Sequence, residues 1–399
     1  MKIKIKKSLF ANILVVLLLY LLSMNFFAKH FYIVLITAIC LIWMNRGKIP
    51  ISWSTIALFA LSCCLVMADI IQGDSVWVAL KDMAFPLSGM IGALSIDRLA
   101  KKQIKSEDVL ARILFVMALG FCTHVLLNII LNYVQMDITI GRNTRDIWSQ
   151  AVFSATGQAS LFIMPISVGI ASFFSDTTVK NKVMASIFCV LALVYNLQLA
   201  CRTPFVLAVI IAMIAIVCMA KSRDVKTDNK VRIAGFIMFL IICAIILYEF
   251  NIWGIRSNIE ASNLFIRLLS SGEGVLQDQR LDLKIHYVKE IWKYPFGGSN
   301  IMTEYGYAHD LIFDTWDKAG IVAAFCAVAY IIGSVSRLQK ILRNKTVGFF
   351  CKQLVLCLYC AFYLEFLVEP ILYGMPWLFT AFCIIDGAVS RVLCMNAEV

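Results

Sequence analysis

The sequence has little charge and few long polar stretches. Only 15% of its 399 residues are charged, and 61% are hydrophobic, whereas an ordinary soluble domain is about one-quarter charged. Residues 251–310 are the one long polar segment, and no other is long enough to form a separate domain. The composition therefore excludes a soluble globular protein and a large soluble domain attached to membrane helices.

Several motifs of common enzymes are also absent. The chain contains no G-x-x-x-x-G-K-[ST] phosphate-binding loop and no G-x-S-x-G motif. No two aspartates are separated by a single residue, so the acidic metal motif common in nucleotide-sugar enzymes is missing. If the chain is an enzyme, we expect its donor substrate to be activated already and to need no metal or other cofactor.

Hydrophobic runs, in contrast, recur along the whole chain. Runs of roughly 18 or more apolar residues are long enough for helices that cross a bilayer, and helices satisfy their own backbone groups in lipid. We predict an all-α, polytopic transmembrane helical bundle with about 12 spans. The predicted spans are 9–28, 31–45, 52–72, 76–96, 109–134, 151–175, 182–199, 203–220, 231–250, 311–333, 348–368 and 371–392.

Basic residues in the short loops set the predicted orientation. With a cytoplasmic N-terminus, the short outside loops contain only Lys29, Arg142, Arg145 and Arg202, and the other short-loop Lys and Arg residues lie inside. An even number of spans then places both termini in the cytoplasm. This distribution also accounts for the net charge of +11, so we expect membrane lipid and not nucleic acid as a partner.

The spans and the polar segment divide the chain into three predicted regions. Residues 1–250 form transmembrane helices 1–9, and residues 311–399 form helices 10–12. Residues 251–310 form one extracytoplasmic loop with short helices, which carries the candidate catalytic motifs. The chain is therefore expected to present its chemistry on the outer face of the membrane.

Some ionisable residues lie inside or beside predicted spans, where charge is costly. Lys81 and Asp82 are helical neighbours and cannot face each other, so we expect them to pair with other helices. His124 is alone on an apolar helix and is expected to pack in the core. Glu369 lies at the outer end of a span and could border a polar cavity.

Three aspartates share one face of the tenth predicted span. Asp310, Asp314 and Asp317 are separated by four and three residues. In one interpretation, Asp310 caps the helix and Asp314 pairs with Lys318. In the other, this face lines a polar cavity beneath the loop.

Cations on the outer face are candidates for an anion site. Arg202 lies between two spans, and its guanidinium fork suits a phosphate or diphosphate. Arg280 and one of Arg142 or Arg145 are the further candidates for substrate binding. The alternative is that these residues bind lipid headgroups.

His309 is the histidine best placed for acid–base catalysis. It precedes a predicted helix at the membrane surface, and Asp310, which follows it, is the second candidate catalytic residue. A histidine can take a proton from a hydroxyl group near neutral pH. The alternative is a hydrogen-bonded loop histidine without a catalytic role.

Three segments have the order and spacing of a known signature. YAHDLIFDTWDKAGIVAAF has a glycine eleven residues after its histidine, RLDLKIHYVKEIWKYPFGG runs from arginine to Pro-Phe-Gly-Gly, and Cys-Arg ends an earlier span. Together they resemble the O-antigen ligase and O-antigen polymerase superfamily. The residues that keep the family's positions are Arg202, Arg280, Pro295, Gly298, His309 and Gly320.

The chain also departs from this family's pattern at several positions. Asp310 replaces an asparagine, and Lys284 stands where a tryptophan is common. Cys201 replaces a serine, Ala323 a glycine and Asn300 a second glycine. These departures favour a polymerase, since polymerases that serve different glycans are expected to vary more than ligases.

The resemblance implies a metal-independent, inverting glycosyltransferase in the bacterial cytoplasmic membrane. Its substrate would be an undecaprenyl-diphosphate-linked glycan, its product O-antigen or capsular polysaccharide, and a chain-length regulator would be a further partner. The alternative within the superfamily is a ligase that transfers the glycan to lipid A-core. An alternative of another class is a lipid-linked oligosaccharide flippase, which would carry charges near the membrane midplane in paired halves.

Overall fold

The computed structural model describes residues 7–47, 50–100, 105–134, 143–262, 265–266 and 279–397. Helices account for most of these residues, as the composition predicts. Eight of the helices found there are long and apolar enough to cross a membrane. This confirms a helical membrane protein, whereas the count of about 12 spans stays a prediction.

The helices follow the predicted hydrophobic runs closely. They are α1 (Lys7–Ser23), α2 (His30–Met44), α3 (Trp53–Ile71), α4 (Val76–Ala79), α5 (Ala84–Leu99), α6 (Ser106–Val134), α7 (Ala155–Ser160), α8 (Ile163–Phe173), α9 (Val179–Leu199), α10 (Thr203–Lys221), α11 (Thr227–Glu249), α12 (Ile255–Glu260), α13 (Gln279–Glu290), α14 (Asn300–Tyr305), α15 (Leu311–Arg343), α16 (Phe349–Phe366), α17 (Ile371–Gly374) and α18 (Pro376–Ala397). Each predicted span overlaps at least one of them.

The chain forms two compact units that are not continuous in sequence. Unit 1 contains Met1–Gly120, Gln277–Val347 and Phe362–Val399. Unit 2 contains Phe121–Leu276 and Gly348–Ala361. Unit 1 therefore combines the N-terminal helices with the segment that carries Arg280 and His309.

Small residues bring two helices of unit 1 into backbone contact. A Cβ atom on Gly92 of α5 would lie 1.9 Å from the carbonyl oxygen of Ile384 in α18. A Cβ atom on Gly387 of α18 would lie 2.0 Å from the carbonyl oxygen of Gly89 in α5. Because helices in lipid associate through close packing, these glycines allow α5 and α18 to pack directly against each other.

Unit 2 contains a short antiparallel hairpin in addition to its helices. Its strands are β1 (Asn143–Arg145) and β2 (Val152–Ser154), with Thr144 paired with Phe153. Helix α7 follows β2 directly. The last residue of β2, Ser154, caps the helix, since its hydroxyl accepts a hydrogen bond from the Gly157 amide. Helix α8 packs against α9 and α10.

Helix α15 is interrupted within its third turn. Gly320 has φ 86° and ψ 176°, values that are not helical and that almost only glycine adopts. A Cβ atom at this position would lie 2.7 Å from the Pro295 carbonyl oxygen, and one on Gly297 would lie 2.6 Å from the Gly320 nitrogen. The two glycines thus allow two backbone segments to touch.

The segment 295–299 fills this interruption and replaces the missing helical hydrogen bonds. The new bonds run from the Ser299 amide to the Asp317 carbonyl (2.7 Å), from the Gly298 amide to the Lys318 carbonyl (3.3 Å) and from the Ile321 amide to the Pro295 carbonyl (2.9 Å). A buried helix interruption would otherwise leave backbone groups unsatisfied. The Pro-Phe-Gly-Gly segment and Gly320 therefore form one structural element.

Candidate functional site

Helix α13 places two cations one turn apart on one face. Arg280 Nη1 donates to the Val368 carbonyl at 2.7 Å and to Glu369 Oε1 at 3.2 Å. Lys284 Nζ donates to the Leu367 carbonyl. Positions four residues apart in a helix face the same side, so both cations reach the segment that follows α16.

Lys284 also connects α13 to the start of α15. Its Nζ donates to Asp310 Oδ2 at 3.4 Å. The side chains of Arg280 and Lys284 are 28% and 26% exposed, so solutes can reach both from solvent. Lys284 departs from the family's tryptophan, and its spacing of four residues from Arg280 is the sequence feature that indicates a shared face.

His309 lies beside this pair of cations. Its Nδ1 atom is 3.9 Å from Glu369 Oε2, the carboxylate whose other oxygen binds Arg280. The side chain of His309 is 22% exposed, whereas that of Glu369 is 1% exposed. The structure therefore brings together three residues that are distant in sequence.

The backbone of His309 is strained. Its φ is 55°, a conformation that costs of the order of 1–3 kcal/mol for a residue other than glycine. The next residue holds it in place, since Asp310 Oδ1 accepts hydrogen bonds from the Ile312 and Phe313 amides at 3.0 and 3.4 Å. The prediction that Asp310 caps α15 is confirmed.

Glu369 has a protonation equilibrium close to neutral pH. Burial raises the pKa of its carboxyl group to about 7, and the nearby Arg280 guanidinium only partly opposes this effect. Glu369 can therefore change charge under physiological conditions. Its charged form would attract a proton on His309 Nδ1, and its neutral form would not.

Asp314 and Asp317 of α15 bind the backbone of the segment that precedes this helix. Asp314 Oδ1 accepts from the Ala308 amide at 2.9 Å, and Asp317 accepts from the Ile301 and Met302 amides at 3.1 and 3.0 Å. Both side chains are fully buried. They bind loop backbone, and this places the segment that ends at His309.

The predicted pair of Asp314 with Lys318 is wrong. Lys318 Nζ instead lies 2.9 Å from an Asp69 carboxylate oxygen and 3.1 Å from Asp82 Oδ2. Helix α3 and the turn before α5 supply these two carboxylates, which are closer to Lys318 than the helical neighbour is. The expectation that Asp82 pairs with another helix is confirmed, since Lys318 belongs to α15.

The other predicted cations belong to unit 2. Arg145 is an exposed residue of β1, and Arg202 is a half-buried residue that directly precedes α10. Arg142 lies outside the described residues. The grouping around Glu369 consists of unit 1 residues, and a contribution from Arg145 or Arg202 stays a prediction.

His124 is buried in the core, as expected, but it has a buried carboxylate as its partner. Its Nε2 atom lies 2.5 Å from Asp146 Oδ1, and both side chains are buried. Asn128 and Asn132, at intervals of four residues along α6, also bind the hairpin region: Asn132 Nδ2 donates to the Arg145 carbonyl at 2.9 Å, and the Ile147 amide donates to Asn128 Oδ1 at 2.8 Å. The spacing of four residues between His124, Asn128 and Asn132 is the sequence feature that indicates a polar face on α6.

The charge of Asp146 is stabilised despite burial. Burial alone would raise the pKa of its carboxyl group, but hydrogen bonds from His124 and Ser149 outweigh burial and lower the pKa to about 2. The Trp148 and Ser149 amides both donate to Asp146 Oδ2, at 3.1 and 2.9 Å. This network holds the hairpin that carries Arg145 against α6.

No protein-family model matches the chain, and no curated protein matches its sequence.

Proposed function

We propose that this protein is a glycosyltransferase that polymerises undecaprenyl-diphosphate-linked repeat units into O-antigen or capsular polysaccharide. It would act at the outer face of the bacterial cytoplasmic membrane, without a metal or other cofactor. The observation that carries the proposal is the meeting of Arg280 and His309 on opposite oxygens of Glu369. A cation suited to a phosphate group and a histidine suited to act as a base would thereby serve the same reaction.

His309 would act as the general base. It takes the proton from a sugar hydroxyl of the incoming repeat unit as that oxygen attacks the anomeric carbon of the growing chain. The new carbon–oxygen bond forms while the bond from the anomeric carbon to the diphosphate breaks on the opposite side. The products are a glycan longer by one repeat unit, a protonated His309 and undecaprenyl diphosphate.

Arg280 and Lys284 would stabilise the leaving diphosphate. Negative charge develops on the departing oxygen, and fixed cations stabilise such charge more strongly where water is partly excluded. Arg280 suits this role because its planar fork matches phosphate oxygens. Its bonds to Glu369 and the Val368 carbonyl hold that fork in a defined orientation.

Glu369 would orient His309. When ionised, it attracts a proton to Nδ1 and leaves Nε2 as the basic nitrogen, as a carboxylate does for histidine in other acid–base sites. The separation of 3.9 Å between Nδ1 and Oε2 is longer than a hydrogen bond. We expect it to shorten when substrate binds, since catalytic hydrogen bonds often tighten in the complex.

A complementation experiment tests the proposed function. The gene is deleted in its own host, and surface glycan is examined on a gel after complementation with wild-type protein or His309→Ala. A polymerase predicts a single repeat unit on the acceptor in both the deletion strain and the His309→Ala strain. The Arg256→Lys variant is the control and should restore the full ladder, because Arg256 forms an exposed pair with Glu260 in unit 2.

Other patterns on the gel would contradict the proposal. Polymer stranded on undecaprenyl diphosphate, with an undecorated acceptor, would show a ligase. Repeat units trapped inside the cell would show a flippase. A normal ladder from His309→Ala would remove His309 as the base.

A further inference from the structure

Unit 1 contains a second polar site beside the one described above. A cavity of about 550 Å³ lies between the segment that links α3 to α5, the loop before α14 and the start of α18. This volume is typical of a pocket for a small molecule. Its polar lining includes Gln72, Asp74, Lys81, Ser299, Thr303 and Tyr373.

The charges that line this pocket favour a ligand without phosphate. Three carboxylates, from Asp69, Asp74 and Asp82, outnumber the two ammonium groups of Lys81 and Lys318. An excess of negative charge repels a diphosphate. No three His, Cys, Asp or Glu side chains are grouped as metal ligands within the described part of the chain, so these carboxylates are best suited to accept hydrogen bonds.

The lining offers many hydrogen-bond donors and acceptors at once. Gln72 contributes an amide, Thr303 and Tyr373 contribute hydroxyl groups, and Lys81 contributes an ammonium group. A ligand that matches this set carries several hydroxyl groups in a small volume. A sugar residue has this property, and its apolar ring face can also pack against an aromatic side chain.

Two aromatic rings connect the pocket to His309. Tyr373 lines the pocket, and its ring centroid lies 5.2 Å from that of Tyr307. The ring of Tyr307 in turn lies 6.5 Å from the ring of His309. The Tyr373 hydroxyl is fixed at 3.2 Å from Ser299 Oγ, in the segment that fills the interruption of α15.

The geometry points to this pocket as a binding site for a neutral sugar residue of the acceptor glycan. The inference rests on the proposed function, because it places the acceptor glycan beside the base His309. The diphosphate of the donor chain would bind at Arg280 and Lys284, and the sugar that follows the attacking residue of the acceptor would bind in the pocket. The donor diphosphate and the acceptor sugar are thus bound at sites of different charge.

Two valines on α4 provide a matched test. Val78 lines the pocket, whereas Val76 of the same short helix is not among its lining residues. Both side chains are exposed, by 41% and 57%, and positions two apart in a helix face different sides. Val78→Trp should fill the pocket, and Val76→Trp should leave it open.

The probe is the repeat-unit oligosaccharide, released by mild acid from lipid-linked material of cells that carry His309→Ala. Its binding to the full chain in detergent is measured by calorimetry, and transfer kinetics are measured in proteoliposomes. We expect Val78→Trp to weaken oligosaccharide binding at least tenfold and to raise KM for the acceptor with little change in kcat. Val76→Trp should match the wild type, and thermal melting confirms that both variants are folded.

Asp74→Asn is the second variant, since it removes a charge from the pocket wall without adding volume. Weaker oligosaccharide binding in this variant supports the pocket as well. Unchanged binding and KM in both Val78→Trp and Asp74→Asn would overturn the pocket while leaving the transferase intact. Oligosaccharide binding that depends on Val78, in a wild-type protein that transfers no glycan, would instead overturn the proposed function and retain the sugar site.

Discussion

His309 Nδ1 lies 3.9 Å from Glu369 Oε2, and the other oxygen of Glu369 binds Arg280. One buried carboxylate thus connects the candidate base with the candidate diphosphate-binding cation. Because the pKa of Glu369 is raised to about 7, the charge of its carboxyl group changes with pH near neutrality. A transfer rate that depends on the charge of Glu369 would distinguish a catalytic role of this carboxylate from a purely structural one.

Glu369→Gln should change the pH profile of transfer. In the wild type, Glu369 is mostly neutral below about pH 7 and charged above it, so the rate should rise as pH increases through 7. The amide cannot ionise, so the variant should lose the part of this rise that comes from Glu369 and be about 10²-fold slower at pH 8, a typical effect of impaired acid–base catalysis. The measurement is kcat from pH 5.5 to 9.

Glu304→Gln is the matched control, because Glu304 is an exposed residue of α14. It should keep the wild-type rate and profile. A Glu369→Gln variant with the wild-type kcat at pH 8 would show that Glu369 does not control His309.

Arg280→Lys should impair activity although the positive charge is retained. Arg280 Nη1 contacts both the Val368 carbonyl and Glu369 Oε1, and lysine lacks the planar fork that also fits a diphosphate. We expect kcat/KM for the lipid-linked donor to fall about tenfold, which corresponds to about 1.4 kcal/mol. The measurement is initial transfer rates at varied donor concentration.

The conservative change at an exposed site provides the comparison. Arg256→Lys alters a solvent-exposed pair with Glu260 and should leave kcat/KM unchanged. Full activity of Arg280→Lys would indicate that this position needs only a positive charge near the lipid headgroups.

Gly320→Ala should destabilise unit 1. The backbone at Gly320 has φ 86°, and an added Cβ atom would lie 2.7 Å from the Pro295 carbonyl oxygen. We expect a loss of about 1–3 kcal/mol from backbone strain alone, together with lower activity, because the displaced segment 295–299 also supports the loop that ends at His309. Thermal unfolding in detergent measures the first effect and transfer assays the second.

Gly235→Ala is the control for a glycine-to-alanine change in a helix. Gly235 lies in α11 with no atom within 4 Å of an added Cβ, and alanine is favoured over glycine in helices by roughly 0.5–1 kcal/mol. The melting temperature of this variant should be unchanged or higher. If Gly320→Ala melts at the wild-type temperature, the interruption of α15 does not require glycine.

Local sequence features predicted local structure well. The hydrophobic runs located the helices because each run must be covered by apolar surroundings, and Asp310 was identified as a cap because its partners are the next two or three residues. The interval of eleven residues from His309 to Gly320, which the family signature shares, was visible in the sequence. Its physical reason, close backbone contact between Gly320 and Pro295, was not.

Long-range pairing could not be predicted from the sequence. Lys318 was assigned to Asp314, one turn away, but it binds Asp69 and Asp82, which are 249 and 236 residues distant. Glu369 and Arg280 are likewise 89 residues apart. Which buried charges meet depends on how the helices pack, and helical spacing contains no information about that.

Lys318→Met should be strongly destabilising, because Lys318 forms ion pairs with two largely buried carboxylates. The side chains of Lys318, Asp69 and Asp82 are only 14%, 8% and 14% exposed, and removal of the cation leaves two nearby carboxylates without their partner. Breaking a buried ion pair in this way costs about 3–5 kcal/mol. Thermal unfolding of the purified full chain should therefore show a large decrease in melting temperature.

Removing all three charges should restore much of this loss. In the triple variant Lys318→Met, Asp69→Asn and Asp82→Asn, no buried charge is left unpaired, and neutral replacements of buried ion pairs are often tolerated. Lys81→Met is the control, because Lys81 is an exposed neighbour in the same pocket, and it should melt at about the wild-type temperature. A triple variant no more stable than Lys318→Met alone would show that the lysine stabilises α15 through packing and not through charge.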